Sequence, residues 1–151
     1  MIIRKATKDD LAQCIPMISD FYTKTFKDMN MSWDDSTAGI IADMIIDKHL
    51  FLVADNDGEV IGGIAGFIQP CMMDTKDLQF SEVSWFVKPE HRSVSVSMRL
   101  MKEVETYCKD NGIKYMMMGN LGNHRDEGLK AFYERKGYVH FETTYIKRIG
   151  D

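Results

Sequence analysis

The densest run of residues that could do chemistry is Val87-Lys88-Pro89-Glu90-His91-Arg92-Ser93-Val94-Ser95-Val96-Ser97. It reads as the end of a strand turning into the start of a long helix. Such a turn aims unpaired backbone N–H groups, and the positive end of the helix dipole, at whatever sits there. An anion suits that point, although a plain helix N-terminus with serines as caps has the same pattern. Just upstream, Glu82 is the only carboxylate inside the strand-like run Gln79 to Val87. Regular alternation puts it on one face with Phe80, Ser84 and Phe86, opposite Val83, Trp85 and Val87. A carboxylate in that company lines a cleft or is costly, because burial raises its pKa and demands a partner. The other reading is a solvent-facing Glu on an open sheet face. The three cysteines, Cys14, Cys71 and Cys108, show no Cys-x-x-Cys spacing. Neither a disulfide frame nor a zinc site is implied, and they read as reduced core thiols rather than nucleophiles. The four histidines, His49, His91, His124 and His140, have no metal-binding spacing and are expected at element ends.

The elements that must position these groups can be read in order. Met1 to Ala6 predicts a short strand, and Thr7-x-x-Asp10 has the spacing of a capping box that opens a helix. Leu11, Ile15, Ile18 and Tyr22 give that helix a buried face, with Pro16 expected to kink or split it. A second helix is predicted from Asp34-Asp35-Ser36 with Ile40, Ile41, Met44 and Ile45 on its inner side. Leu50 to Ala54 and Val60 to Gln69 form a hairpin through Asp55-Asn56-Asp57-Gly58. Gln79 to Val87 is the next strand. Val94 to Asn111 is a long helix with Val96, Leu100, Met101, Val104 and Cys108 on one stripe, capped by Gly112. Ile113 to Met118 is a strand, Asp126 to Lys136 a short helix closed by Gly137, and Tyr138 to Ile149 supplies one or two final strands.

A length of 151 residues with 44% hydrophobic and 28% charged residues suits one soluble globular domain over 1–151. No linker, repeat or composition break divides it. No apolar run approaches the ~20 residues of a membrane span, and the start lacks the marks of a secretory signal, so a cytoplasmic location is expected with no membrane partner. A net charge of -4 without a basic block argues against nucleic acid as a partner.

The order strand, two helices, three strands, helix, strand, helix, strand resembles the GNAT acetyltransferase superfamily. This implies an α/β (α+β) fold, with a mixed, mostly antiparallel sheet of about six to seven strands flanked by about four helices. Two motifs carry the resemblance. The lead Val87-x-Pro89-Glu90-x-Arg92 is similar to the approach to that family's coenzyme A pyrophosphate loop, with Ser95 and Ser97 where the family prefers Gly and Gly or Ala. Serine adds a side chain where glycine lets a diphosphate lie close, though its hydroxyl can donate. Leu129-Lys130-Ala131-Phe132-Tyr133-Glu134-Arg135-Lys136-Gly137-Tyr138 resembles the Ala-x-x-Phe-Tyr-x-x-x-Gly-Phe signature near the end of such domains.

The resemblance implies acetyl-CoA as co-substrate, no metal, and direct transfer of an acetyl group to an amine in a ternary complex. It implies Glu82 as general base and Tyr133 as the acid for the departing thiolate, against a core-aromatic reading of Tyr133. Cofactor contacts fall on Phe86, Val87, Arg92, Ser93, Val94, Ser95, Val96, Ser97, Asn123 and Tyr133. Asn123 reads as readily as a turn residue. Acceptor contacts are assigned to Trp33, Glu82 and Glu142, with Phe26 to Trp33 as an apolar wall or simply packing. The loop serines also resemble phage-type members. The acceptor stays open among small amine, protein lysine, protein N-terminus and antibiotic, as does a homodimer. The rival reading is a GNAT-like binding module of weak or absent activity that acts through a partner protein.

Overall fold

The computed structural model describes residues 1–29, 31–92, 94–121 and 126–150, with Val94 and Asp126 as backbone only. It divides into two compact units, Met1–Gly119 and Asn120–Asp151.

The first unit is a five-stranded sheet in the order β1-β2-β3-β4-β5, with helices on both faces. The strands are β1 (Ile2–Lys5), β2 (Leu50–Asn56), β3 (Glu59–Pro70), β4 (Leu78–Val87) and β5 (Ile113–Met117). The first four pair antiparallel and β5 joins β4 in parallel. The helices are α1 (Leu11–Thr25), α2 (Asp35–Lys48) and α3 (Val94–Asp110). Alternation along β2 splits the core. Leu50, Leu52 and Ala54 pack with Ile64, Phe80 and the α3 stripe Val96, Leu100, Val104 and Cys108. Phe51 and Val53 pack with Val60, Ala65, Phe86, Cys14, Ile18, Ala42 and Ile45 on the side of α1 and α2. All three cysteines are free and buried.

Local signals act as their chemistry requires. The Asp10 carboxylate accepts the Thr7 N–H at 2.7 Å, closing the capping box, and receives Arg4 through two N–H groups at 2.7 and 2.8 Å. The β2–β3 turn has Asp57 at φ 56° and Gly58 at φ 92°, the two positive values that a tight hairpin turn needs.

Several expectations need correction. α1 runs unbroken through Pro16 and is not split, although the proline withholds the N–H that the Ala12 carbonyl would otherwise receive. α2 buries Ala42 and Ile45, whereas Ile40 is 71% exposed and Ile41 and Met44 also face outward. With apolar residues almost all round this helix, spacing alone did not select its inner side. The sheet has five strands among the described residues rather than six to seven.

The second unit contains α4 (Asp126–Arg135), closed by Gly137 at φ 84° as the sequence predicts. The final strands predicted over Tyr138 to Ile149 do not form. Val139, Phe141 and Tyr145 are exposed there, and alternation by itself supplies no neighbouring strand for the backbone groups.

Candidate functional site

β4 is the element on which most of the candidate residues depend. Against β3 its register runs Val87 opposite Gly62, Phe86 opposite Gly63, Trp85 opposite Ile64 and Ser84 opposite Ala65. Glu82 then stands opposite Gly66, so Val83 is an extra residue in a β-bulge. The bulge reverses the facing of everything beyond it. Phe80 packs on the α3 side together with Trp85 and Val87, while Phe86 packs on the α1–α2 side. The expected common face of Phe80, Glu82, Ser84 and Phe86 is therefore wrong, because one inserted residue shifts the period-2 count.

Two glycines make room at this point. A Cβ on Gly66 would come within 2.4 Å of the Phe80 ring and 2.5 Å of the Ser81 carbonyl, so only glycine fits opposite Glu82. A Cβ on Gly119 would lie 3.0 Å from Glu82 Oε2, and the Gly119 N–H donates to that oxygen at 2.8 Å. Burial pushes the Glu82 carboxyl up to about 6, with the Gly119 amide pulling the other way. Such a carboxyl changes protonation state near neutrality, where a general base works best.

The ladder between β4 and β5 extends only from Leu78 to Ser81, paired with residues of Ile113 to Met117. From Glu82 onward no strand stands beside that edge of β4 among the described residues. The strand ends in a turn that enters α3. Pro16, Met17, Asp20 and Phe21 of α1 face Phe86, Val87, Lys88, Pro89 and Arg92 across a cleft of about 190 Å³. That is below the roughly 300–1,000 Å³ of a site that takes a drug-sized ligand whole. Arg92 Nε donates to the Val87 carbonyl at 3.2 Å, folding the guanidinium back over the strand end. Lys88 pairs with Glu59.

The remaining predicted positions divide. Val94 is the first residue of α3, Ser95 is exposed and Ser97 half-buried. Val96 is a core side chain, so only its backbone can face a ligand. Ser93 and Asn123 lie outside the described residues. Trp33 is half-buried and stacks on Tyr22 with centroids 5.1 Å apart, and its Nε1–H donates to Asp35 at 2.6 Å. In the second unit Tyr133 lies on α4 against Phe132 and Tyr138, with centroids 5.8 and 5.4 Å away. Glu142 is exposed and accepts from the Thr144 hydroxyl at 3.1 Å. Cys71 and Cys108 are buried, and no metal-holding group of His, Cys, Asp or Glu occurs among the described residues.

Sequence reasoning missed Tyr22. It was read only as part of a buried helix face, yet its hydroxyl donates to the Val83 carbonyl at 2.6 Å. A glycine inside a strand is a known mark of a bulge, so Gly66 was the signal that could have exposed this feature.

Residues 15–138 match the family model described as Acetyltransferase (GNAT) family. No curated protein matches the chain. Solved structures do. The transcriptional regulator from Bacillus halodurans C-125 superposes with a TM-score of 0.77 at 16% identity, over 98% of this chain and 99% of its own. The ribosomal-protein-alanine N-acetyltransferase of Brucella melitensis biovar Abortus 2308 gives 0.72 at 14%, over 99% and 100%. The aminoglycoside acetyltransferase HMB0005 from an uncultured soil metagenomic sample gives 0.72 at 15%, over 99% and 98%. At such identities the likeness is one of fold.

Proposed function

The chain belongs to the GNAT acetyltransferase family, and from that premise we propose that residues 1–151 act as one domain that transfers an acetyl group from acetyl-CoA directly to an amine. The observation that carries this reading is the Glu82 carboxyl, sunk at the bulge of β4 and pushed up to about 6. It sits just where the β4–β5 ladder stops and upstream of the turn into α3.

In this reading the diphosphate of acetyl-CoA is held by the amides of 93–97 and by Arg92. The residues fit an anion: a 17-residue helix begins there, and Ser95 and Arg92 are exposed beside it. The backbone at Phe86 and Val87 polarises the thioester carbonyl. Asn123 holds the pantetheine arm. Glu82 takes the proton of the ammonium acceptor, directly or through water, and the freed amine nitrogen attacks the thioester carbon. The tetrahedral intermediate collapses, the C–S bond breaks, the thiolate takes a proton from Tyr133, and the second proton of the acetylated nitrogen passes through water to restore the Tyr133 phenol. The products are the acetylated amine and coenzyme A. The Tyr133 assignment rests on the motif over 129–138. Trp33 and Glu142 contribute to the acceptor side, and the cytoplasm is the setting that supplies acetyl-CoA.

Calorimetric titration with acetyl-CoA, followed by thiol release against a panel of amines, tests the proposal. Arg92→Glu is expected to weaken acetyl-CoA binding by about tenfold, and Tyr133→Phe to slow thiol release by at least about tenfold. Full turnover in Tyr133→Phe removes that residue from the acid role. The exposed Ser95 in place of a glycine favours a second reading, a GNAT-like module that binds a partner protein without turnover. A flat acetyl-CoA titration would select it.

A further inference from the structure

Taking Glu82 as the base, a premise inherited from the proposed function, we propose that Tyr22 is a positioning residue. Its hydroxyl grips the carbonyl of the bulged Val83 and so fixes the strand segment from which Glu82 projects. Val83 has no register partner on β3, and a bulge leaves its extra residue outside the ladder. A carbonyl there needs another donor or water. The Tyr22 Oη–H supplies one at 2.6 Å, from a helix 61 residues earlier in the chain.

The ring alone does not account for a tyrosine at this position. Tyr22 stacks on Phe26 at 5.4 Å and Trp33 at 5.1 Å and meets Phe21 edge-on at 5.5 Å. A phenylalanine would keep all three contacts. What the hydroxyl adds is the tie to β4, one residue from Glu82. Among the described residues, the Gly119 amide beyond β5 donates to the Glu82 carboxyl, and the Tyr22 phenol of α1 lies near enough to feel its charge. Opposite Glu82 on β3 stands Gly66, which brings no charge. Burial and the Glu82 charge both raise the Tyr22 pKa, so the phenol stays protonated and remains a donor while Glu82 titrates.

With the tie cut, the bulge loosens, water reaches the carboxyl, and its pKa falls toward the ordinary 4.5. The test compares wild type, Tyr22→Phe, Glu82→Gln and the double variant. One readout is the Glu82 carboxyl titration by ¹³C NMR in glutamate-labelled protein, assigned with Glu82→Gln. The other is thiol release from acetyl-CoA with water as the acceptor. In Tyr22→Phe the midpoint is expected to drop by about half a unit or more. The release rate should fall about tenfold while KM for acetyl-CoA stays within about twofold. In the Glu82→Gln background the same change is expected to have less than about a twofold effect.

An unmoved midpoint and rate in Tyr22→Phe would overturn the positioning role and leave Glu82 as the base. An undiminished tenfold effect in the Glu82→Gln background would show that Tyr22 acts by another route, which also overturns it. Wild-type release by Glu82→Gln would instead remove the base reading, and this proposal with it.

Discussion

Glu82→Gln should make the protein more stable and less active at once, and the pH dependence of the gain is its signature. Burial holds the Glu82 carboxyl at about 6 against an ordinary 4.5. A carboxyl whose pKa is higher folded than unfolded takes up a proton on folding. Its contribution is therefore fully present below about pH 4.5 and is lost as pH rises through about 6. At roughly 1.4 kcal/mol per unit, ionising Glu82 in place costs the fold about 2 kcal/mol above pH 7. Glutamine is nearly isosteric, stays neutral, and its carbonyl oxygen can still accept the Gly119 N–H. At pH 8 the variant should gain about 1–2 kcal/mol, or about 2–6 °C in Tm for a chain of this size. At pH 4.5, where the wild-type carboxyl is already largely protonated when folded, the difference should shrink to a few tenths of a kcal/mol. Thermal melts followed by circular dichroism at both pH values measure this directly. A variant less stable than wild type at pH 8, or a difference that is the same at both pH values, would refute the claim that Glu82 is a strained, buried carboxyl.

Two further outcomes test the surrounding frame. Gly66→Ala should destabilise by about 2 kcal/mol or more in urea unfolding, because its Cβ would stand 2.4 Å from the Phe80 ring and 2.5 Å from the Ser81 carbonyl. Arg4→Met should cost about 1–3 kcal/mol at pH 7, since it strands the buried Asp10 carboxylate that Arg4 holds down to about 2. The Asp10 contribution is present above its ordinary 3.8 and lost as pH falls toward 2, so the gap between variant and wild type should narrow in acid melts.

Much of the frame was legible because it is written in local periods. The α3 stripe Val96, Leu100, Met101, Val104 and Cys108 is buried throughout, and the Asp57-Gly58 turn and the glycines that end α3 and α4 stand where their backbone freedom is needed. Glu82 was visible as the one carboxylate in an apolar strand, and the turn after Pro89 as a helix entrance. These features depend on residues within a turn or two of each other, so sequence carries them intact.

Only the tertiary structure decided the rest. The inner side of α2 went to Ala42 and Ile45 rather than to Ile40, Ile41 and Met44, because the sheet and α1 choose which apolar side is covered. The facing of β4 depends on a bulge at Val83, which arises from the register with β3 and not from β4's own alternation. Tyr22 meets β4 through a hydrogen bond to Val83, a residue 61 positions away. Sequence by itself determined which groups could do the chemistry, since side-chain type and short-range spacing are local. Where those groups point, and at what pH Glu82 ionises, required the packed chain, because strand register, burial and long-range hydrogen bonds exist only between segments brought together by folding.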